Sequence, residues 1–205
     1  MINSARRLIG TVTVVGALGA ANLLAPSISK AQAGAVSPTP GVGLNTCNRS
    51  PVSQPFAPWL DFADYALVPG GDFESSTWTL TSGANLVAGS EPYAATGTLG
   101  SSSLSLPSGS SAQSPLTCVD ATHPSIRFFI AGTGSVAVNV VNGSSVIPAG
   151  VAVAYGDWKP TPVMLTSAAV LDATPDGTAR ISVTLTGLTG SPRVDDVFID
   201  PWSRG

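Results

Sequence analysis

The fold of this chain is decided by the segment Ser135–Ile147, which reads SVAVNVVNGSSVI. Three valines at every second position alternate with smaller or polar residues, and this period of two is typical of a strand with one buried face. Asn142-Gly143 then interrupts the alternation, and this dipeptide readily takes the positive φ angles of a tight hairpin turn. The segment therefore predicts two antiparallel strands joined by a short turn.

The same alternation recurs outside this hairpin, at 102–106, 125–131 and 181–186. In the second stretch two isoleucines and Phe128 share one face, whereas Arg127 and Phe129 share the other. No amphipathic helix is indicated after Gly70, and one helical turn is expected earlier, at Trp59–Tyr65. Many short strands separated by turns predict an all-β fold, a single antiparallel β-sandwich.

Composition excludes several classes of protein. The 205 residues include 22 glycines and 17 prolines, and 10% of the chain is charged, against roughly a quarter in an average soluble domain. This mixture excludes coiled coils and long helical bundles. The formal net charge of -3 excludes nucleic-acid binding through a basic surface, because too few lysines and arginines are present to displace counterions. A hydrophobic fraction of 43% is enough for one core and hence one domain.

The first 33 residues have the features of a secretory signal peptide. Arg6 and Arg7 precede an apolar stretch at Leu8–Ala25, and Ala31-Gln32-Ala33 offers the small residues that signal peptidase recognises. The alternative is a membrane anchor, but the apolar stretch is short for a span and contains glycines and threonines. We expect cleavage before Gly34, a secreted protein, and no association with a membrane after cleavage.

Two regions follow the signal peptide. Residues 34–58 are rich in Gly, Pro, Ser and Ala and predict a flexible linker, whereas residues 59–205 carry the strand patterns and predict the folded domain. Cys47 in the linker and Cys118 in the domain are the two cysteines of the chain. An oxidising compartment favours a disulfide between them over two buried thiols. This bond would attach the linker to the domain.

Two segments near the ends of the predicted domain show a family resemblance. The first reads VPGGDFE at Val68–Glu74 and is followed by Trp78, and the second reads RVDDVFIDP at Arg193–Pro201. The pair resembles the opening and closing strands of jelly-roll carbohydrate-binding modules of the galactose-binding-like superfamily. In the family pattern the glycines directly precede Phe-Glu, whereas Asp72 is inserted there in this chain. The stretch from about Asp61 also resembles exported actinobacterial proteins without an assigned activity.

The resemblance implies one structural Ca²⁺. Its ligands would be Glu74 and Asp196, or Asp72 and Asp195 if the register is shifted by one residue. Ca²⁺ binds about six to eight oxygen atoms, and two acids from remote segments would repel each other without a cation. In a regular strand Asp196 would lie on the same face as Val194 and Phe198, two positions away on either side. If that face is the core, the carboxylate points inward and needs a partner. The alternative is that these acids cap turns or face solvent.

Aromatic residues are the candidates for ligand contact, because aromatic rings can stack on the apolar faces of pyranose rings. Tyr155 and Trp158 flank Gly156-Asp157 in a predicted turn, where Asp157 could accept hydrogen bonds from sugar hydroxyls. Tyr93 is a further candidate of the same kind. These rings could instead cover the end of the sandwich. Trp78 matches a core tryptophan of the family, so we expect it to be buried.

The sequence offers little for catalysis. His123 is the single histidine, no Gly-x-Ser-x-Gly motif occurs, and a zinc site needs about three or four His or Cys ligands. The prediction is therefore a secreted, non-catalytic module that binds an extracellular or cell-wall glycan. One alternative is a structural or adhesive envelope protein that binds another protein. The other is a small hydrolase that uses Asp residues.

Overall fold

The computed structural model describes residues 47, 50–75, 77–120, 124–166, 173 and 177–201, and all of them belong to one compact unit. The signal segment 1–33, part of the linker and His123 lie outside the described residues. No helix in the described part has the length and apolar character needed to cross a membrane. The strands of the described part are β1 (Ala66–Leu67), β2 (Thr79–Thr81), β3 (Asn85–Ala88), β4 (Ser102–Ser105), β5 (Ser111–Gln113), β6 (Thr117–Asp120), β7 (Ser125–Asn142), β8 (Ser145–Pro160), β9 (Met164–Leu165), β10 (Thr178–Gly190) and β11 (Arg193–Asp200).

All pairings between these strands are antiparallel, which confirms the predicted all-β fold. The sheet follows the order β2-β5-β10-β7-β11-β4-β3. Four further strands pair with members of this order: β1 with β11, β6 with β10, and both β8 and β9 with β7. The long strand β7 joins the two halves, because residues 125–131 pair with β11 and residues 134–141 pair with β10. Side chains from both halves meet in one interior, which makes the folded sheet a β-sandwich.

β7 and β8 form the predicted hairpin, which is therefore confirmed. The turn itself is Gly143-Ser144, one residue later than predicted, because Asn142 still pairs with Ser145. Gly143 has a φ of 59°, which suits the first central position of a two-residue turn.

The stretches 125–131 and 136–141 form one strand and not the two that the pattern predicts. Between the two stretches, Gly132 and Gly134 remain paired with β8. Their φ angles are 86° and 129°. A Cβ added at Gly134 would lie 2.0 Å from the Thr189 carbonyl oxygen. The break in the hydrophobic pattern therefore marks a close approach of β10 that glycine permits, and not a loop.

The interior is built from the alternating residues that the pattern predicts. Those of β7 and β10 are Ile126, Phe128, Ile130, Val136, Val138, Val140, Ile181, Val183 and Leu185. Trp78 is buried as expected: its ring centroid lies 5.2 Å from that of Phe73, and its Nε1 donates a hydrogen bond to the Pro69 carbonyl oxygen. Burial of each such large side chain stabilises the fold by about 1.5–3 kcal/mol.

A second, smaller cluster covers the outer face of β7. Phe56 stacks on Phe129 with ring centroids 5.4 Å apart, and it meets Tyr65 and Phe198 edge-on at 5.1 and 5.6 Å. Phe56 belongs to the segment predicted as linker, yet it is fully buried, and Ser53 pairs with Tyr65. The chain is thus fastened to the sheet from Ser53 onward.

The helical turn expected at Trp59–Tyr65 lies earlier, as a 3-10 turn at Ala57–Trp59. Pro58 suits this position, because a residue in the first helical turn has no intrahelical partner for its backbone N–H. Leu60, with a left-handed φ of 61°, ends the turn. The expectation was wrong in position because the Phe56 contacts, which involve residues remote in sequence, decide where the chain turns.

The predicted disulfide between Cys47 and Cys118 is present, with the two Cα atoms 5.5 Å apart. Cys118 lies on β6, which pairs with the first residues of β10. The two cysteines are 71 positions apart, so the bond restricts the unfolded chain and stabilises the fold by about 4 kcal/mol on the chain-entropy model.

Candidate functional site

The two segments that carry the family resemblance meet in the structure. Val68 N donates a hydrogen bond to the Val197 carbonyl oxygen, and Val197 N donates one to the Gly71 carbonyl oxygen, both at 2.9 Å. A Cβ at Gly71 would lie 2.7 Å from the Val197 carbonyl oxygen. The second glycine of the front segment is therefore required by its contact with β11.

This contact depends on a β-bulge in β11. The pairing with β7 shifts between Asp195 and Phe198, so Asp196 and Val197 together stand opposite Phe128. Asp196 has a left-handed φ of 47°. The bulge releases the backbone groups of Val197 from β7 and makes them available to the front loop.

The bulge also shows that the parity argument made from the sequence is wrong. That argument predicts one shared face for Val194, Asp196 and Phe198, but Val194 lies in the main core and Phe198 in the second cluster. An extra residue in a strand reverses the alternation of every side chain beyond it. Asp196 is buried nonetheless, within the bulge itself.

Asp196 belongs to a buried group of three carboxyl groups, together with Asp195 and Glu91. Asp195 accepts hydrogen bonds from Glu91 N at 2.8 Å and from Asp196 N at 2.9 Å. Burial raises the pKa of Asp195 to about 6. Burial also raises the pKa of Asp196 to about 8, with help from the negative charges of Asp195, Glu91 and Asp72. Asp196 therefore holds its proton to a higher pH than an exposed aspartate does.

Glu74, the other expected Ca²⁺ ligand, has different partners. Its Oε2 accepts a hydrogen bond from the Ser101 hydroxyl at 2.6 Å, and its Oε1 accepts from the backbone N–H groups of Ser101 and Ser102 at 2.7 and 2.8 Å. These bonds lower the pKa of Glu74. In the front loop it is Asp72, the alternative ligand, whose charge acts on Asp196.

Both carboxylate oxygens of Glu74 accept hydrogen bonds from Ser101 or Ser102. Across the described ranges no group of three or more His, Cys, Asp or Glu side chains is arranged to hold a metal ion. The Ca²⁺ site with Glu74 and Asp196 stays a prediction.

Four rings beside the carboxyl groups form what we call the aromatic patch: Trp59, Tyr93, Phe129 and Trp158. Phe129 is its fully buried floor, whereas Tyr93 is 45% exposed and both tryptophans are half-buried. The ring centroid of Tyr93 lies 4.9 Å from that of Trp59 and 5.4 Å from that of Phe129. Its hydroxyl donates to the Trp158 carbonyl oxygen at 2.7 Å. Tyr93 is thus held by three neighbours while nearly half of it stays open to solvent.

Tyr155, Asp157 and Trp158 lie within β8, so their placement in a turn was wrong. A bulge in the pairing with β7 comprises Asp157 and Trp158, and Trp158 packs against the second cluster. Tyr155 is 76% exposed and Asp157 is exposed. Tyr155 lies three residues before Trp158 on the same strand.

Arg193 places a positive charge next to the aromatic patch. Its guanidinium carbon lies 5.4 Å from the centroid of the Trp158 ring, which is a cation–π distance. The same guanidinium donates hydrogen bonds to the Ser103 hydroxyl at 2.7 Å and to the carbonyl oxygens of Ala88, at 3.0 Å, and Gly89. Arg193 therefore ties the segment that leads to Tyr93 to β11 and to Trp158.

An ion pair holds the Trp59 side of the aromatic patch. Arg127 Nη1 lies 2.6 Å from Asp61 Oδ2, and its guanidinium carbon lies 4.2 Å from the Phe56 ring centroid. Asp61 also accepts a hydrogen bond from the Tyr65 hydroxyl at 2.8 Å. Burial acts to raise the pKa of Asp61, but hydrogen bonds from a backbone N–H, Tyr65 and Arg127 outweigh it and lower the pKa.

Two cavities of the described part, of about 270 and 150 Å³, have no Asp or Glu among their lining residues. Glu91 and Asp195 are 1% and 0% exposed, so a substrate cannot reach them. A glycoside hydrolase needs two carboxyl groups that flank an accessible bond, and Glu91 with Asp195 is not such a pair.

Sequence reasoning missed Asp61, Arg127 and the role of Glu91. One local signal was available: Arg127 stands between two apolar residues of a buried strand, where a charge requires a partner. Asp61 and Glu91 gave no such signal, because their partners lie 66 and 104 positions away along the chain.

A comparison with protein-family models gives no match, and a comparison with curated proteins gives none either. Several solved structures show limited similarity to this chain. TmCBM61, solved in complex with β-1,4-galactotriose, is 18% identical with a TM-score of 0.42, over 65% of this chain and 96% of that one. The C-terminal CBM6 of LamC from Zobellia galactanivorans is 14% identical with a TM-score of 0.39, over 60% and 98%. Tailspike protein 4 of bacteriophage CBA120 is 16% identical with a TM-score of 0.40 over 63% of this chain, which spans 20% of the tailspike domain.

Proposed function

We propose that this chain is a secreted, non-catalytic module that binds an extracellular or cell-wall glycan through the aromatic patch. The observation that carries the proposal is the position of Tyr93. Its side chain is held by contacts with Trp59, Phe129 and Trp158, yet 45% of it remains exposed. A ring fixed in this way loses little conformational entropy when a ligand stacks on it. The apolar face of a pyranose ring can stack on such an exposed aromatic ring.

Polar groups around the aromatic patch suit sugar hydroxyls. Asp157 and Lys159 are exposed on β8, and Arg193 borders Trp158. A hydroxyl both donates and accepts hydrogen bonds, so it can use either kind of group. Tyr155 is a second exposed ring on the same strand, three residues before Trp158. The arrangement favours a chain of sugar units over a single monosaccharide.

A glycan array, followed by calorimetric titration of the best ligand, tests the proposal. Tyr155→Ala removes a highly exposed ring and should weaken binding about three- to tenfold at an unchanged melting temperature. Leu116→Ala removes an exposed apolar side chain beside the disulfide and serves as the matched control with wild-type affinity. Absence of any glycan ligand, or equal affinities of Tyr155→Ala and the wild type, would contradict the proposal.

Export and calcium are separate parts of the proposal. Mass spectrometry of the extracellular protein should show a chain that begins at Gly34, and a product that keeps residues 1–33 would contradict this. If Glu74 and Asp196 hold Ca²⁺, the ion should raise the melting temperature of the wild type and not that of Glu74→Gln. If a chelator leaves the melting temperature of the wild type unchanged, the protein has no structural Ca²⁺.

One observation favours the alternative of a protein-binding envelope protein. Val146, Val151 and Val153 are exposed along β8, and in the described sheet this strand pairs with β7 alone. An exposed strand edge with apolar side chains can pair with another protein chain. Binding to isolated cell envelopes, measured before and after enzymatic removal of glycan, separates the two functions. Binding that survives this treatment and is lost in Val151→Lys favours a protein partner.

A further inference from the structure

Tyr93 owes its position to a loop that is closed by a buried carboxylate. Glu91 Oε2 accepts a hydrogen bond from Tyr93 N, and Glu91 Oε1 accepts one from Ala95 N at 2.9 Å. Ala94, between them, has a left-handed φ of 52°. A residue other than glycine keeps this conformation only where other contacts hold it, and here both flanking N–H groups are held by Glu91.

The same residue anchors the loop to the sheet. Glu91 N donates to Asp195 Oδ2 at 2.8 Å, and the Glu91 carboxyl group acts on that of Asp196. Asp195 pairs across the strands with Phe129, the floor of the aromatic patch. A continuous set of contacts therefore runs from β11 through Glu91 to the backbone of Tyr93.

Other contacts of the loop do not set the direction of its backbone at Tyr93. Arg193 holds the chain earlier, at the carbonyl oxygens of Ala88 and Gly89. The Tyr93 hydroxyl holds only the far end of the ring, at Trp158. The backbone N–H of Tyr93 itself is held by Glu91, and Gly97 N, which donates to the Ala94 carbonyl oxygen at 2.8 Å, adds a contact one residue later.

We propose that Glu91 is a positioning residue of the glycan site, whose carboxylate sets the place of the Tyr93 ring and thereby the affinity for glycan without touching the ligand. This inference rests on the proposed function. A residue that served stability alone would change affinity equally whether or not the Tyr93 ring is present, and this difference can be measured.

A double-mutant cycle on glycan affinity makes that measurement. Glu91→Gln keeps the size of the side chain but replaces one acceptor oxygen by a donor group, so one of the two loop N–H groups loses its partner. We expect Glu91→Gln to weaken binding about tenfold in the wild-type background and less than about twofold in a Tyr93→Ala background. Asp64→Asn, the same kind of change at an exposed carboxylate that accepts a hydrogen bond from Gln54, should bind as wild type. Equal loss in both backgrounds would overturn the inference.

Amide hydrogen exchange provides a readout that needs no glycan. In Glu91→Gln the exchange of the Tyr93 and Ala95 amides should rise about tenfold, while that of Val138 in the core stays constant. Faster exchange at these amides together with unchanged glycan affinity would overturn the inference and leave the proposed function standing. A wild-type protein that binds no glycan would overturn the proposed function, and unchanged exchange at Tyr93 would refute the role of Glu91 whatever the ligand.

Discussion

Replacing Asp61 by Asn removes one charge of a buried ion pair and keeps the shape of the side chain. The side chain of Arg127 is 8% exposed and that of Asp61 is 20% exposed. After the change the guanidinium of Arg127 would keep its hydrogen bond to the Thr161 carbonyl oxygen at 2.8 Å and its contact with the Phe56 ring. It would lose the negative charge of Asp61. Loss of one partner of a buried pair costs about 3–5 kcal/mol. Because water reaches part of Asp61, we expect about 3 kcal/mol.

The effect should depend on pH with a definite sign. The pKa of Asp61 lies below its ordinary value of 3.8, so the folded protein binds fewer protons at this group than the unfolded chain does. Its contribution is therefore complete above the ordinary pKa and is lost as the pH falls through the folded pKa. The difference in free energy of unfolding between the wild type and Asp61→Asn should shrink toward zero in strong acid.

Urea unfolding followed by tryptophan fluorescence, at pH 7 and in acid, measures both quantities. Asp64→Asn, at an exposed carboxylate that accepts a hydrogen bond from Gln54, is the matched control and should change the free energy by less than about 0.5 kcal/mol. Arg127→Met in the Asp61→Asn background should restore part of the loss, because no buried charge is then unpaired. A loss at pH 7 within about 0.5 kcal/mol of zero, or an equal loss in acid, would refute the reasoning.

Two further predictions concern the backbone and the disulfide. Gly134→Ala should destabilise the fold by at least about 3 kcal/mol, because the added Cβ meets the Thr189 carbonyl oxygen. The control is Gly143→Ala, also at positive φ but in open space, which should destabilise the fold by about 1–2 kcal/mol. Equal melting temperatures of the two variants would disprove the close approach of β10 to Gly134. Cys118→Ser should lower the free energy of unfolding by about 2–5 kcal/mol while circular dichroism keeps the β signal, and a reducing agent should have the same effect on the wild type. An unchanged unfolding midpoint would show that the bond to Cys47 does not restrict the unfolded chain.

Much of the fold could be predicted because its causes are local. The alternation of valines and isoleucines in β7 and β10 reflects the two faces of a strand, and each residue carries that information by itself. Gly143 provided the hairpin turn for the same reason. The disulfide followed from the presence of two cysteines and the expectation of an oxidising compartment.

The candidate site was predicted only in part, since it is assembled from segments that are distant in sequence. The amino-acid sequence alone determined the alternating faces of β7 and β10, the hairpin and the pairing of Cys47 with Cys118, whereas the burial of Trp78 was implied by the family resemblance. The tertiary structure decided that a bulge at Asp196 reverses the faces of β11, and that Glu91 lies against Asp195. The physical reason is that side-chain alternation depends on neighbouring residues, whereas a bulge and a buried hydrogen bond depend on which strands come together.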